Sequence, residues 1–435
     1  MTKKAVSRRG FLSALAAGAV GFSAIADPAA AAAQAVGVRK SDLPDLTIKE
    51  IKAYVLKGSP RVAPAGVAPA RTPTGMRVPQ ETRILSVVTN GGIEGNYVSR
   101  RETDGLLELA KGLLVGKNAI YGSAFTSIWD PTRRRYQANE YPAMIDYALW
   151  DIVGKAVNLP VYKVLGPYRE KVLAYASSQH LSTVEAFVED VKRAKSEGYK
   201  AYKIHPPVVP TTSGGAQMGA PVAGAPGQGR GIDLALDMEV AKAVRQTAGD
   251  DMPLLHDRVG SYTREQALKM GRLLEKLNFV AFEDPLPSVD LEGCVQLCRD
   301  IDTPVHMGEL FVSIYDFAPF IRERGMDVLR FIADTIGGIS GGMKLAKTAE
   351  VFGMECVPHN WGNVFEHMTH FHMELAMPNN IWFEMMQPTG SSDAPYIIDK
   401  LRIDKDGFVP APTKPGLGLE LDRAVMEKMM VRVET

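Results

Sequence analysis

The sequence predicts an α/β fold, a (β/α)₇β barrel carrying an α+β cap, and three features predict it. First, six short apolar runs between Leu254 and Met386 each end in a polar, mostly ionisable residue: LLHD at Asp257, VAFE at Glu283, VHMGE at Glu309, LRFIAD at Asp334, CVPH at His359 and IWFE at Glu384. Their spacings are 26, 26, 25, 25 and 25 residues. A fixed period of that size marks one supersecondary unit repeated. Second, helical patterns such as TREQALKMGRLLEKL and GMKLAKTAEVF fill the gaps. Strands that alternate with helices lie parallel in one sheet. Third, the ionisable residues all fall at the same end of their strands, as at the catalytic face of a (β/α)₈ barrel.

Two earlier runs complete the count. VLAYAS (172–177) and YKAYKIH (199–205) are strand-like, and each precedes a helical pattern, STVEAFVEDVKRAKSEG and DLALDMEVAKAVRQTAG. After Glu384 the chain turns into Pro388, Gly390 and Pro395, with no long helix. Seven full units and a final strand are therefore expected, over residues 171–400.

The chain has 435 residues, too many for one simple core, so a second domain is expected. Lys+Arg and Asp+Glu are 50 each, so no basic footprint argues for nucleic acid. Residues 1–35 read as a twin-arginine signal peptide: Ser7-Arg8-Arg9-Gly10-Phe11-Leu12 precedes an alanine-rich apolar run, with Ala33-Gln34-Ala35 as the cleavage site. The expectation is export by the twin-arginine translocase to a bacterial periplasm. The alternative is a disordered or anchoring tail.

Residues 36–170 carry a different pattern. LTIKEIKAYVL and ILSVVTNGGIEGNYV alternate like antiparallel strands, with Asn90-Gly91-Gly92 as a hairpin turn. Helical patterns run from Glu102 to Val115 and from Tyr141 to Asn158. Two long irregular stretches interrupt the regular pattern. One, residues 58–82, holds Arg61, Arg71 and Arg77 and reads as a lid or linker. The other, Pro206 to Gly231, follows the second barrel strand and reads as a substrate-covering insertion or a disordered excursion, the first preferred. Residues 401–435 are expected to rejoin the cap. Cys294, Cys298 and Cys356 form no disulfide framework, and the first two lie one turn apart on a helix, as core residues do.

The chemistry comes from the strand ends. Asp257, Glu283 and Glu309 end adjacent strands, so their carboxylates converge. Three anions together repel and raise one another's pKa values, which a divalent cation relieves. An all-oxygen set selects a hard ion, and Mg²⁺ leaves positions for water and substrate. Asp334 and His359 follow on successive strands, and a carboxylate beside an imidazole raises its basicity. Across the barrel, strand alternation puts Lys203 and His205 on one inward face. Glu384 closes the ring, either as a site residue or as a salt bridge at the rim.

These residues carry a resemblance. The sequence resembles the mandelate racemase branch of the enolase superfamily, in ALWDIVGKAVNLPVYKVLGP before the barrel, KIH on strand two, HD, FEDP and GE at the three acids, then ADTIGGISGGMK, PHNWGN and PGLGLEL. It implies a cap built from both chain ends, a (β/α)₇β barrel, Mg²⁺ and abstraction of a proton alpha to a carboxylate. It also implies metal ligation by Asp257, Glu283 and Glu309, an acid/base pair of Asp334 and His359, and an electrophile at Glu384. Two departures stand out. His205 occupies the place where such members commonly carry a second lysine, and Val259, after Arg258, the place where they often carry an asparagine.

The reading is therefore a Mg²⁺-dependent hydro-lyase that dehydrates a small anionic sugar acid to a 2-keto-3-deoxy acid, in a homo-oligomer. Lys203 and a protonated Glu384 would stabilise the enediolate, a strand-two residue would take the proton, and a protonated His359 would expel the 3-hydroxyl. The alternatives are a racemase, epimerase or cycloisomerase with the same intermediate, and a periplasmic binding protein without turnover.

Overall fold

The structure, a computed structural model, describes residues 44–58, 81–99, 104–122, 140–207 and 232–435. The twin-arginine segment, Arg61, Arg71 and Arg77, and nearly all of the Pro206–Gly231 stretch lie outside these residues.

The first region is a small antiparallel sheet with helices against it. Strands β1 (Ile48–Lys57), β2 (Glu81–Thr89) and β3 (Glu94–Ser99) form a meander, and the Asn90-Gly91-Gly92 turn joins the last two. Helix α1 (Asp104–Leu114) follows, and helix α2 (Glu140–Ala156) packs on β3. Gly95 is required there, because a Cβ at that position would lie 2.0 Å from the Ala148 carbonyl oxygen of α2. Asp151 of α2 accepts the Asn96 N–H at 3.0 Å, which fixes the helix across the strand.

After a short helix α3 (Val161–Leu165) the barrel begins. Its strands are β4 (Lys171–His180), β5 (Ala201–His205), β6 (Leu254–Asp257), β7 (Ala281–Glu283), β8 (Val305–Met307), β9 (Val328–Leu329), β10 (Glu355–Cys356) and β11 (Phe383–Met386). They lie parallel in the order β10-β9-β8-β7-β6-β5-β4-β11. Between them run α4 (Val184–Glu197), α5 (Leu234–Ala248), α6 (Arg264–Lys276), α7 (Leu291–Asp300), α8 (Phe317–Glu323), the short α9 (Ala333–Ile336) with α10 (Gly338–Val351), and α11 (Val364–Ala376). The chain leaves β11 in turns rather than a helix, as Pro388 and Gly390 dictate. Side-chain caps start the helices where the sequence offers them: Thr183, Asp233 and Asp290 accept an N–H of the first turn, and Thr263 with Gln266, like Asn363 with Glu366, forms a capping box.

Helix α11 departs from the amphipathic rule, because every one of its residues is buried. Its three histidines each accept a backbone N–H from a different segment: His372 from Tyr162 at 3.0 Å, His370 from Ala333 at 3.1 Å and His367 from Gly362 at 3.5 Å. Burial lowers His370 and His372 to about 4, so both stay neutral and remain acceptors.

The tail returns in steps. Strand β12 (Phe408–Pro410) pairs antiparallel with β4. Leu417 then donates its N–H to Asp151 at 2.8 Å, and after helix α12 (Arg423–Met429) strand β13 (Met430–Glu434) pairs with β1.

Candidate active site

The strand ends converge as the period requires. Asp257 and Glu283 end β6 and β7 and are directly paired in register. Glu309 lies two residues past β8, after Gly308, whose φ of +123° belongs to a region that side chains rarely adopt. A Cβ on Gly308 would lie 2.4 Å from the Arg330 carbonyl oxygen, so this glycine lets the chain turn Glu309 inward. The three carboxylates offer one oxygen each within 4.8 Å of one another, and all three are buried.

Two buried cations hold this acid cluster. Lys203 of β5 reaches Asp257 at 3.3 Å, Glu283 at 3.0 Å and Glu384 at 2.7 Å. Arg330, just past β9, pairs with Glu283 and Glu384 and lies 3.7 Å from Glu309. Its Nη1 also donates to the Tyr175 hydroxyl at 3.2 Å. Burial lowers both cations, and Arg330 also lowers Lys203, yet the surrounding carboxylates keep both well above their ordinary values. Arg330 sits inside the apolar run LRFIAD, one residue past the two-residue strand, where no period marks it.

Glu384 requires a correction. Its carboxylate accepts from Ser177 Oγ at 2.7 Å and from the Asn360 N–H at 2.8 Å, besides Lys203 and Arg330. Burial pushes it up, but Lys203, Arg330 and His359 overcome this and hold it well below the usual carboxylate range. It is an ionised anchor for the two cations, not the protonated donor that the sequence suggested. The three other carboxylates divide. Burial pushes Asp257 up, but Lys203 and His205 pull it well below its ordinary value. Glu283 and Glu309 are raised, first by burial and then, for Glu309, by Asp257 and Glu283. Glu309 Oε2 is buried without a hydrogen-bond partner among the described residues. An orphaned carboxylate oxygen in an acid triad fits a hard divalent cation, which would supply the missing positive charge.

The histidines are placed differently from the sequence reading. His205 Nδ1 donates to the Ser178 carbonyl at 2.7 Å, and its Nε2 lies 3.0 Å from Asp257 Oδ2. Both ring nitrogens are engaged, so in this structure His205 braces Asp257. Its ring also stacks edge-on with Trp361 and His180. His359 keeps a partly exposed side chain (16%), with Nε2 3.6 Å from Glu309. Burial lowers its pKa well below the ordinary value, against the opposing pull of Glu384.

Asp334 and His359 lie on neighbouring loops, and Asp334 is held from the cap. Asp334 falls in α9, five residues beyond the end of β9, where the chain has already turned toward the cap. Its Oδ1 accepts from Tyr147 of α2 at 2.6 Å and from Tyr97 of β3 at 3.3 Å. His359 donates its backbone N–H to Phe331 at 2.9 Å, so the two loops run side by side even though Glu309 is the acid that His359 faces. The tyrosines come from the cap, and nothing in the barrel's 25-residue period points to them.

Comparison with known proteins agrees with this geometry. The family described as enolase C-terminal domain-like matches residues 186–425. The chain is 28% identical over 291 residues to arabinonate dehydratase of Saccharolobus solfataricus, covering 65% of this chain and 70% of that one. It is 30% identical over 315 residues to the D-galactonate dehydratase family member RspA of Pantoea ananatis, covering 65% and 72%. Its structure is similar to that of D-glucarate dehydratase from Agrobacterium tumefaciens complexed with magnesium, with a TM-score of 0.75 and 27% identity over 89% of this chain and all of that one.

Proposed function

The chain belongs to the enolase superfamily, and on that premise we propose that it dehydrates a sugar acid to a 2-keto-3-deoxy acid with the help of Mg²⁺. One observation carries the choice of dehydration. Among the candidate bases, His359 alone keeps a partly exposed side chain, while His205 lies against Asp257 and Lys203 against three carboxylates. A racemase needs a base on each face of the alpha carbon. Elimination needs only one group that first takes a proton and then returns it.

Asp257, Glu283 and Glu309 would hold the Mg²⁺, which when bound supplies Lewis-acid stabilisation of the substrate carboxylate. Lys203 and Arg330, among these carboxylates at the strand ends, would add positive charge where negative charge grows. Neutral His359 accepts the alpha proton. The imidazolium so formed then protonates the 3-hydroxyl, which leaves as water, and the enol tautomerises to the keto acid. Asp334, on the neighbouring loop, contributes a negative charge that favours that imidazolium.

The relatives named as dehydratases of arabinonate and glucarate support this substrate class. The test is a panel of aldonic and aldaric acids with Mg²⁺, read as keto-acid formation. His359→Asn should lose both keto acid and exchange of the alpha proton with deuterated solvent. Exchange into recovered substrate without loss of water would favour a racemase or epimerase instead.

A further inference from the structure

The cap reaches into the barrel at one buried point. Tyr97 and Tyr147 are at most 1% exposed, their ring centroids lie 4.2 Å apart, and both hydroxyls end on Asp334 Oδ1. The segment that carries Asp334 is fixed from both sides. Asp146, beside Tyr147 on α2, accepts the Ser340 N–H at 3.0 Å and the Ser340 hydroxyl at 2.5 Å. Trp150, one turn further, donates to that same hydroxyl at 3.1 Å. Gly338 leaves no room for a side chain, since a Cβ would lie 2.5 Å from Asp146 Oδ2. From the other side, His370 of α11 accepts the Ala333 N–H at 3.1 Å.

Structural docking of α2 would be served by Asp146 and Trp150 alone. Two phenols on one carboxylate oxygen do something more specific. A carboxylate that accepts hydrogen bonds is favoured in its charged form, and a donor at 2.6 Å fixes its direction.

We propose that Tyr97 and Tyr147 are positioning residues of the reaction: they hold Asp334 as an oriented anion beside the His359 loop. The inference rests on the dehydratase reading for its kinetic part. Among the described residues, the two phenols donate to this carboxylate, Glu366 bears on the Tyr147 phenol, and His370 and Asp146 hold the backbone on either side of it. Burial raises the Tyr147 phenol well above its usual range, with Asp334, Tyr97 and Glu366 adding to it, so it remains a donor at every pH of interest. Loss of the phenols removes two donors from one oxygen of Asp334 and frees the carboxylate to turn.

The test is a mutant cycle on the full-length enzyme. Tyr147→Phe should lower kcat at least about tenfold with KM changed little, and should move the acid limb of the kcat profile up by about one pH unit. Tyr97→Phe, with the longer contact, should do the same more weakly. In the Asp334→Asn background Tyr147→Phe should have no further effect on kcat. An equal loss in both backgrounds, or an unmoved acid limb, would overturn the proposal. A second readout needs no substrate: with carboxyl-¹³C aspartate, the resonance missing from Asp334→Asn should titrate higher in Tyr147→Phe than in the wild type. An unshifted titration also overturns the proposal. A wild type that converts no sugar acid at all would overturn the dehydratase reading, while the carboxyl titration still decides the hold on Asp334.

Discussion

The barrel mouth and helix α11 bury comparable amounts of ionisable chemistry and handle it in opposite ways. At the barrel mouth, Lys203 and Arg330 keep Asp257 and Glu384 charged and paired, while Glu283 and Glu309 are raised beside them. On α11, His370 and His372 are neutral and spend their nitrogens on backbone N–H groups. The contrast separates two purposes. A paired but incompletely balanced cluster retains affinity for an ion and an anionic substrate. A neutral acceptor retains none, but it holds a backbone segment in place without a counter-ion.

The comparison breaks most visibly at Arg330. Arg330→Met should cost about 3–5 kcal/mol in urea unfolding without metal, because Glu283 and Glu384 lose a buried partner. A loss below about 1 kcal/mol would mean that the mouth is not held together by charge.

Acid should act on the helix in the other direction. The folded pKa of His372 is about 4, below the ordinary 6.5, so the unfolded chain takes the proton first as pH falls. The stability this group contributes is complete above about pH 6.5 and is lost toward pH 4, up to about 3 kcal/mol. His372→Asn should flatten the stability–pH curve in that window, and an unchanged slope would show that the ring is already charged in the fold.

Metal sharpens the distinction with a smaller effect. At a Mg²⁺ concentration of 100 times its Kd the wild type should gain about 2.7 kcal/mol, read as a rise in Tm. Glu309→Gln should gain nothing from Mg²⁺. Its metal-free form should be no less stable than the wild type, because burial, Asp257 and Glu283 already raise that carboxyl. A Tm still responding to Mg²⁺ would remove Glu309 from the ligand set.

Much of the fold was legible in advance, and the reason is the repeat. Eight parallel strands, seven intervening helical segments, the Asn90-Gly91-Gly92 hairpin and the missing last helix all follow from local periodicity and turn chemistry. The acid triad was legible for the same reason, since residues that end equivalent strands must meet at one rim.

What the sequence determined by itself was thus which residues reach the barrel mouth. What only the tertiary structure decided was whom each of them faces. Glu384 looked like a proton donor until Lys203 and Arg330 were found on its oxygens. His205 looked like a base until Ser178 and Asp257 were found on its two nitrogens. Asp334 was legible as a carboxylate near His359; that Tyr97 and Tyr147, 237 and 187 positions away along the chain, hold it was not. Periodicity records where the backbone of one element ends. The protonation state and direction of a side chain depend on charges and donors that other elements bring within about 3 Å, where a low dielectric makes each of them count.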